Sequence, residues 1–446
     1  TIGCLARTNR RPTRCVMATG LRSLASKIDR ILRGNVSLGS PPLSKNQVAR
    51  FKKLAGYSRS FVSGREAYLE QPGVDNEIFG THWGREYLDT IAKLIGDGDP
   101  RILNRLRLIY NFSGMPISTY RRRHTFPTHD PIFNRYLNLR AITPPHLRFA
   151  APEICGEAGW RIDGGLCNVD VAVAQERLQF MHFSGALDWV RHHSGARPMR
   201  VMEIGAGCGL MACGFVKAFP DALYAICDVP EVLAISFAYL NLAQPDRRHI
   251  AVLPAGVIDT QTGSNISLPD LNSGIVYLPN YMMHRHAADF RLDMAINAMS
   301  LHEMRPAQIA YYCRFIADAA SIYFDINQHR GHENATNDSQ LEAVFRHKMQ
   351  TELTDLALSA RIWTNDLAAQ EFIVNRARHH RSTHDLDAAF AIDAPYESPP
   401  FDYQAASRIL TEDLGELIDV DFEKWMAARK YTFANHLEGY RLRHKL

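Results

Sequence analysis

The sequence has no Cys-x-x-Cys pair, no apolar run of membrane-spanning length, no internal repeat and no low-complexity tract. Each absence removes a class. Without paired cysteines, neither a zinc ribbon nor a thioredoxin-type redox motif is available. The eight cysteines stand at 4, 15, 155, 167, 208, 213, 227 and 313. Several sit inside apolar runs, as buried thiols of a reducing compartment do, so the expected location is cytoplasmic. The longest apolar candidate, 223–242, is broken by Asp228, Pro230 and Glu231, and a span needs roughly 18 apolar residues. Charge of one sign is scarce too. A net +4 over 446 residues predicts neither a nucleic-acid nor a membrane-surface partner.

Acid is missing from the start of the chain, where nothing negative precedes Asp29 and Arg and Ser are frequent. That composition resembles an organelle transit peptide, without the apolar core of a secretory signal. The plainer reading is a loose, disordered basic tail over 1–45, or an upstream extension of the reading frame with Met17 as the start. What remains is ordinary globular material, 46% hydrophobic and 22% charged, long enough for at least one sizeable core.

Residues 46–195 read as mostly helical. In "GDPRILNRLRLIYNFSG", Ile102, Leu103, Leu106, Ile109 and Tyr110 share one helical face, with Pro100 at the start and Gly114 past the end. "YRRRHTFPTHDP", 120–131, reads as a surface loop, and a further helix is expected from Val171. Near Pro198 the pattern changes to short β-rich segments alternating with helix-length ones, which predicts a parallel sheet with crossover helices. Strands are expected at 200–205, 222–228, 274–279, 292–298 and 321–327, and helices at 209–219, 230–243 and 306–319. "ARIWTN" (360–365) and "QEFIVNRA" (370–377) are read as an antiparallel hairpin turning on "DLAA". The core so defined spans 196–377. The segment 378–446 is expected to open as a His-rich loop and to close as a charged helix.

The first strand runs into "EIGAGCGL", which places Glu203, Gly205, Gly207 and Gly209 at alternate positions. Glycines so spaced permit a tight turn and close approach to a ligand, and the next helix offers free N–H groups. A dinucleotide fold spaces its glycines as G-x-G-x-x-G, so here the third comes one residue early. Glu203 would also repel a pyrophosphate, whereas a ligand with both ammonium and carboxylate groups, such as S-adenosylmethionine, could use acid and helix end together. Asp228, with Val229 after it, ends the second strand, where an acid can take both ribose hydroxyls.

On "EIGAGCG", "YAICDVPEVLAISFAYL", "AINAMSLHEM" and "YFDIN", the segment 198–330 resembles the class I S-adenosylmethionine-dependent methyltransferases, and within them the sugar O-methyltransferase family. The resemblance implies a Rossmann-like α/β fold, mostly parallel with a C-terminal antiparallel hairpin, carrying helical N- and C-terminal additions. It implies S-adenosylmethionine as cofactor, bound by Glu203, Gly205, Gly207, Gly209, Asp228, Val229 and Asn280, the last at the third strand's end where such enzymes contact adenine. The acceptor would be a hydroxylated small molecule, a sugar by the family's name, in a site covered by 46–195 and the C-terminal helices. A peptide or nitrogen acceptor, an idle binding module and homo-oligomerisation stay open.

In such a fold "NAMSLHEM" lies beside the methyl donor. Transfer to oxygen needs an aligned hydroxyl and a base, and histidine titrates in the right range. His302 is therefore the candidate base and Glu303 its orienting partner. The alternative makes His302 a binding or packing residue and Glu303 the start of the next helix; the sugar family often has Gln at this position. Arg305 and Pro306 follow, so this is not HExxH. His284 and His286, and likewise His379, His380 and His384, lack ordered ligand spacing and are read as surface loops, with no metal expected.

Overall fold

The structure, a computed structural model, describes residues 36–38, 43–79, 85–103, 106–109, 131–162, 164–301, 304–327, 337–354 and 359–390. A small antiparallel sheet joins β1 (Val36–Leu38), β2 (Ala158–Ile162) and β3 (Gly165–Cys167). Val36 pairs with Trp160, so these three residues depart from the expected loose tail. Their partner strand carries Trp160, buried against Phe133 with ring centroids 4.7 Å apart.

Helix α1 (Lys45–Leu69) begins with a reciprocal capping box. Ser44 Oγ accepts from Gln47 N, and the Gln47 side chain accepts from Ser44 N, which satisfies two end donors at once. Its buried face carries Phe51, Leu54, Ser58, Phe61, Arg65 and Tyr68, a helical repeat of three and four. The longer helices that follow among the described residues are α2 (Arg85–Gly96), α3 (Pro131–Ile142) and α4 (Val169–Phe183), the last capped by Asn168, which accepts from Val171 N. Helix α5 (Ala186–Ser194) leads into the main sheet. Of the helix expected over 100–110, Pro100–Leu103 and Leu106–Ile109 are helical, and 104, 105 and 110 lie outside the described residues.

The main sheet holds β4 (Arg200–Ile204), β5 (Leu223–Asp228), β6 (His249–Leu253), β7 (Gly256–Asp259), β8 (Gly274–Pro279), β9 (Leu292–Ala298), β10 (Ala320–Asn327), β11 (His347–Thr354) and β12 (Ser359–Thr364). Their spatial order is β11-β12-β10-β9-β4-β5-β8-β6-β7. The run from β10 to β6 is parallel, and β7, β12 and β11 join antiparallel. The crossover helices are α6 (Leu210–Ala218), α7 (Pro230–Ala243) and α8 (Pro306–Ala319). Pro230 and Pro306 occupy first helical positions, where the missing N–H costs nothing. All residues of β5, β8 and β9 are buried, as expected of strands covered on both faces. This is the mostly parallel, Rossmann-like sheet, with helical additions, that the sequence implies.

Two expectations fail at its margins. The terminal hairpin is β11–β12, and "QEFIVNRA" is instead part of helix α9 (Leu367–Thr383). Asp366 accepts from Ala368 N and starts that helix, and Ala369, Ile373 and His380 form its buried side. The expected loop from 378 is likewise helical to Thr383, and the helix Leu386–Phe390 follows; 391–446 lie outside the described residues. "MMHRHAAD" belongs to a 3-10 segment, Asn280–Asp289.

Two hydrophobic clusters sandwich the sheet. Val201, Tyr224, Ile226, Ile296 and Phe324 face α4, α6 and α7, while Met202, Ala225, Val276, Ala295 and Tyr323 face α8. No helix among the described residues is long and apolar enough to cross a membrane.

Candidate active site at the carboxyl edge of the sheet

Strand register brings the sequence-predicted groups together. Ile204 pairs with Cys227 and with Asn297, and Asp228 pairs with Pro279. The glycine turn, the acid of β5, Asn280 and the "NAMSL" segment therefore share one edge, the carboxyl edge where open α/β sheets bind ligands.

Gly205, Gly207 and Gly209 have φ of +73°, +60° and +82°, the left-handed region that favours glycine. Gly205 also has no room for a side chain, since a Cβ there would run into Ser300. At Gly209, the first cap of α6, a Cβ would stand 2.8 Å from Leu240 Cδ1. Gly205 N donates to Cys227 O (2.8 Å) and Gly207 N donates to Asp228 Oδ2 (3.1 Å), so turn and second strand are tied by hydrogen bonds. Asp228 Oδ1 also accepts from Val229 N at 2.8 Å. Burial pushes the Asp228 carboxyl up to about 7, against the pull of the two backbone N–H groups. An ionised carboxylate has about four acceptor positions, so two donors leave acceptor capacity for a ligand's hydroxyls.

Glu203 lies deeper. Its carboxyl is buried on the face of the sheet under α4 and accepts from Tyr224 OH at 2.8 Å. Burial raises it to about 7, with the Tyr224 bond and the Arg177 charge acting in the opposite direction. Asn280 is 1% exposed, and its Oδ1 has no hydrogen-bond partner among the described residues. Its side chain is hydrogen-bonded to the Tyr312 hydroxyl. A buried orphan acceptor at a ligand-binding edge fits a donor supplied by a ligand.

Asn297 fixes the end of β9. Its Nδ2 donates to Ile204 O (2.7 Å) and Ser300 Oγ (3.1 Å), and its Oδ1 accepts from Leu301 N (3.0 Å) and Asn327 Nδ2 (2.8 Å). These bonds hold Met299 at φ +69°, an uncommon conformation for a side-chain-bearing residue. Ser300 is thereby seated beneath Gly205. His302 and Glu303, the candidate base and its partner, lie outside the described residues.

Behind the glycine turn stands a charged network that sequence reasoning did not find. Buried Arg107 donates to Glu157 Oε2 (2.8 Å), Asp170 Oδ2 (3.2 Å) and Cys208 Sγ (2.8 Å), the cysteine of "GAGCG". Burial raises the Cys208 thiol to about 11 while Arg107 pulls it down. No spacing links Arg107 to Cys208, 101 residues apart, so only the fold joins them. Asn297, by contrast, left a signal in a polar amide near the end of a mostly apolar strand.

The rim is built by α1 and the residues after it. Arg65 Nη1 donates to Glu231 Oε2 (2.9 Å) at the start of α7, and Tyr281 OH donates to Phe61 O (3.1 Å). Gln308 Nε2 donates to Ile78 O at 2.8 Å. Helix α1 and the residues after it thus touch this edge of the sheet. Helix α9 packs instead near the amino edge, bonded to α5, whose Trp189 Nε1 donates to Ser321 Oγ at the start of β10.

No protein-family model matches the chain, and no curated protein sequence matches it. Among solved structures, it is similar to the N-terminal domain of human METTL16 in complex with SAH, at 11% identity over 43% of this chain and 71% of that one, with a TM-score of 0.29. A Pyrococcus horikoshii protein provisionally assigned as an RNA methyltransferase is 11% identical over 52% of this chain and 95% of its own, TM-score 0.26. A Klebsiella pneumoniae protein provisionally assigned as an O-methyltransferase is 15% identical over 53% and 91%, TM-score 0.28. Likeness at this level assigns neither a residue nor a substrate.

Proposed function

We propose that this edge binds S-adenosylmethionine and that the chain is an O-methyltransferase acting on a hydroxyl of a sugar or another hydroxylated small molecule. The observation that carries the reading is the acid–glycine–acid edge: a turn of three left-handed glycines hydrogen-bonded to Asp228, with the orphan Asn280 Oδ1 on the adjoining strand. Asp228 accepts the ribose hydroxyls, Asn280 Oδ1 accepts from the adenine amino group, and Val229 lines the same edge. Gly205, Gly207 and Gly209 let the backbone approach the methionyl part. Glu203 adds negative charge beneath the turn, which favours the ligand's ammonium. When bound, the cofactor supplies an electrophilic methyl group on a sulfonium.

The protein's remaining task is to hold an acceptor hydroxyl in line and take its proton. His302 is the base in this reading and Glu303 orients it, both following the strand end that Asn297 fixes. The N-terminal helices at the rim exclude water from the acceptor and supply its contacts. Calorimetric titration with S-adenosylmethionine and with NAD tests the cofactor, and a screen of sugar acceptors follows. Binding of S-adenosylmethionine alone is expected. Binding of NAD in its place would overturn the reading.

A further inference from the structure

Away from the carboxyl edge, three helices meet at the end of α4. His182 occupies its last turn, Asp188 the first turn of α5 and His380 the last turn of α9. One ligand atom from each lies within 4.8 Å of the other two. His380 Nε2 is 3.1 Å from Asp188 Oδ2, and the two imidazole centroids are 4.7 Å apart. Both histidines are buried, at 9% and 6% exposure, and His182 Nδ1 has no hydrogen-bond partner among the described residues. An unsatisfied buried imidazole nitrogen beside a second imidazole and a carboxylate needs an explanation.

We propose that His182, Asp188 and His380 bind one divalent cation with the chemistry of Zn2+. Two imidazoles and a carboxylate are zinc ligands, and a tetrahedral ion with bonds of about 2.0–2.1 Å holds its ligand atoms roughly 3.3 Å apart. The His380–Asp188 separation already fits. His182 must close the remaining gap, and a turn of its ring about the side-chain bonds supplies the movement. Its neutral form is the ligating one. The competitor is Arg376, whose Nε stands 2.8 Å from the same Asp188 oxygen, with Arg191 and His146 adding positive potential. The Arg376 side chain is 41% exposed, so it can swing outward or remain as an outer partner that orients the carboxylate. The ion would clamp α9 to the α4–α5 corner. There Gly185, at φ +84°, already brings the backbones together, since a Cβ on it would lie 2.8 Å from Arg376 Cβ. The ligands are separated by up to 198 positions in the chain, which is why no spacing motif announces them.

The test uses the full chain, stripped with a chelator, dialysed and titrated with Zn2+ alone. One zinc retained per chain by metal analysis, with a rise in Tm that the chelator reverses, is the expected result. His182→Gln and His380→Gln should each weaken retention by roughly tenfold or more and abolish the zinc-dependent rise in Tm. His380→Cys keeps three ligands, so its Co2+-loaded form should gain a thiolate-to-metal absorption band that the wild type lacks. Should the Gln variants fail to fold, tetrahedral visible bands from Co2+ on the wild type decide for the site, and their absence decides against it. The proposal falls if the wild type retains no zinc and its Tm does not move, or if both Gln variants hold metal as the wild type does.

Discussion

Asp228 is held between two opposing forces. Burial raises its proton affinity, while Gly207 N and Val229 N favour its charged form, and burial wins, at about 7. Only the ionised carboxylate offers full acceptor capacity to a ribose. Affinity for S-adenosylmethionine should therefore rise with pH through about 7 and then level off, which calorimetry at about pH 5.5 and 8.5 would check. Asp228→Ala should cost about 1.5–3 kcal/mol per charge-assisted bond, roughly tenfold or more in Kd; unchanged affinity would remove the cofactor assignment. His302→Gln keeps a side chain of similar reach but no base. It should leave cofactor affinity intact and lower turnover roughly a hundredfold, and single-turnover kinetics with an acceptor that the wild type methylates would show it. Asn297 sits between these two. Replacing it with Ala would take their partner from Ile204 O and Leu301 N and one of two acceptors from Asn327 Nδ2, which keeps Asp325. A loss of about 3 kcal/mol is expected in denaturant unfolding. The glycines, Asp228 and the polar end of β9 were legible because each needs a particular residue type at a particular place. Arg107 and the ligands of the histidine cluster were not, because their partners come from remote parts of the chain.

Whole elements were easiest to read where both faces of a strand are covered. β8 and β9 match the expected segments residue for residue, since continuous apolar runs bounded by turn residues leave few alternatives. The error at 370–377 has the opposite cause. "EFIV" is a short apolar run that either period accepts, and the deciding feature is Asp366, which caps a helix two residues upstream of Ala368. "HIAVL" (β6) was missed for a related reason, as a five-residue strand between a helix end and a hairpin carries little periodicity. Among the elements, α1 is fixed over α7 by its charge rather than by apolar contact alone. Arg65 and Glu231 are 1% and 0% exposed at the side chain, so removal of either breaks a buried ion pair. Arg65→Ala should lower stability by about 3–5 kcal/mol and should loosen the rim, seen as faster hydrogen exchange in α1. Gly64, beside Arg65, lets α1 close on the loop after β6, because a Cβ there would meet Pro254 Cγ at 2.8 Å.

At the scale of the molecule, buried titratable groups give stability two slopes. Glu203 and Asp228, raised to about 7, bind more protons folded than unfolded between their ordinary values and that pH, so their burial becomes a growing cost as pH rises. His249, lowered to about 4 mainly by burial, binds fewer protons folded, so its contribution to stability falls as pH drops from about 6.5 toward 4. These slopes oppose each other over the same interval, and the two carboxyls outweigh the imidazole, so stability read by thermal unfolding should fall as pH rises from about 5 to 7. Asp228→Asn, which removes one of the two falling slopes, should flatten that decline. The strand order carries a further consequence, for synthesis. β8 is flanked by β5 and β6, both of which precede it in the chain. Until residue 279 leaves the ribosome, β5 and β6 each present an unpaired edge across a gap one strand wide. Such edges invite pairing with other chains, and nascent chains halted between β7 and β8 should aggregate, whereas those halted after β8 can close the gap themselves.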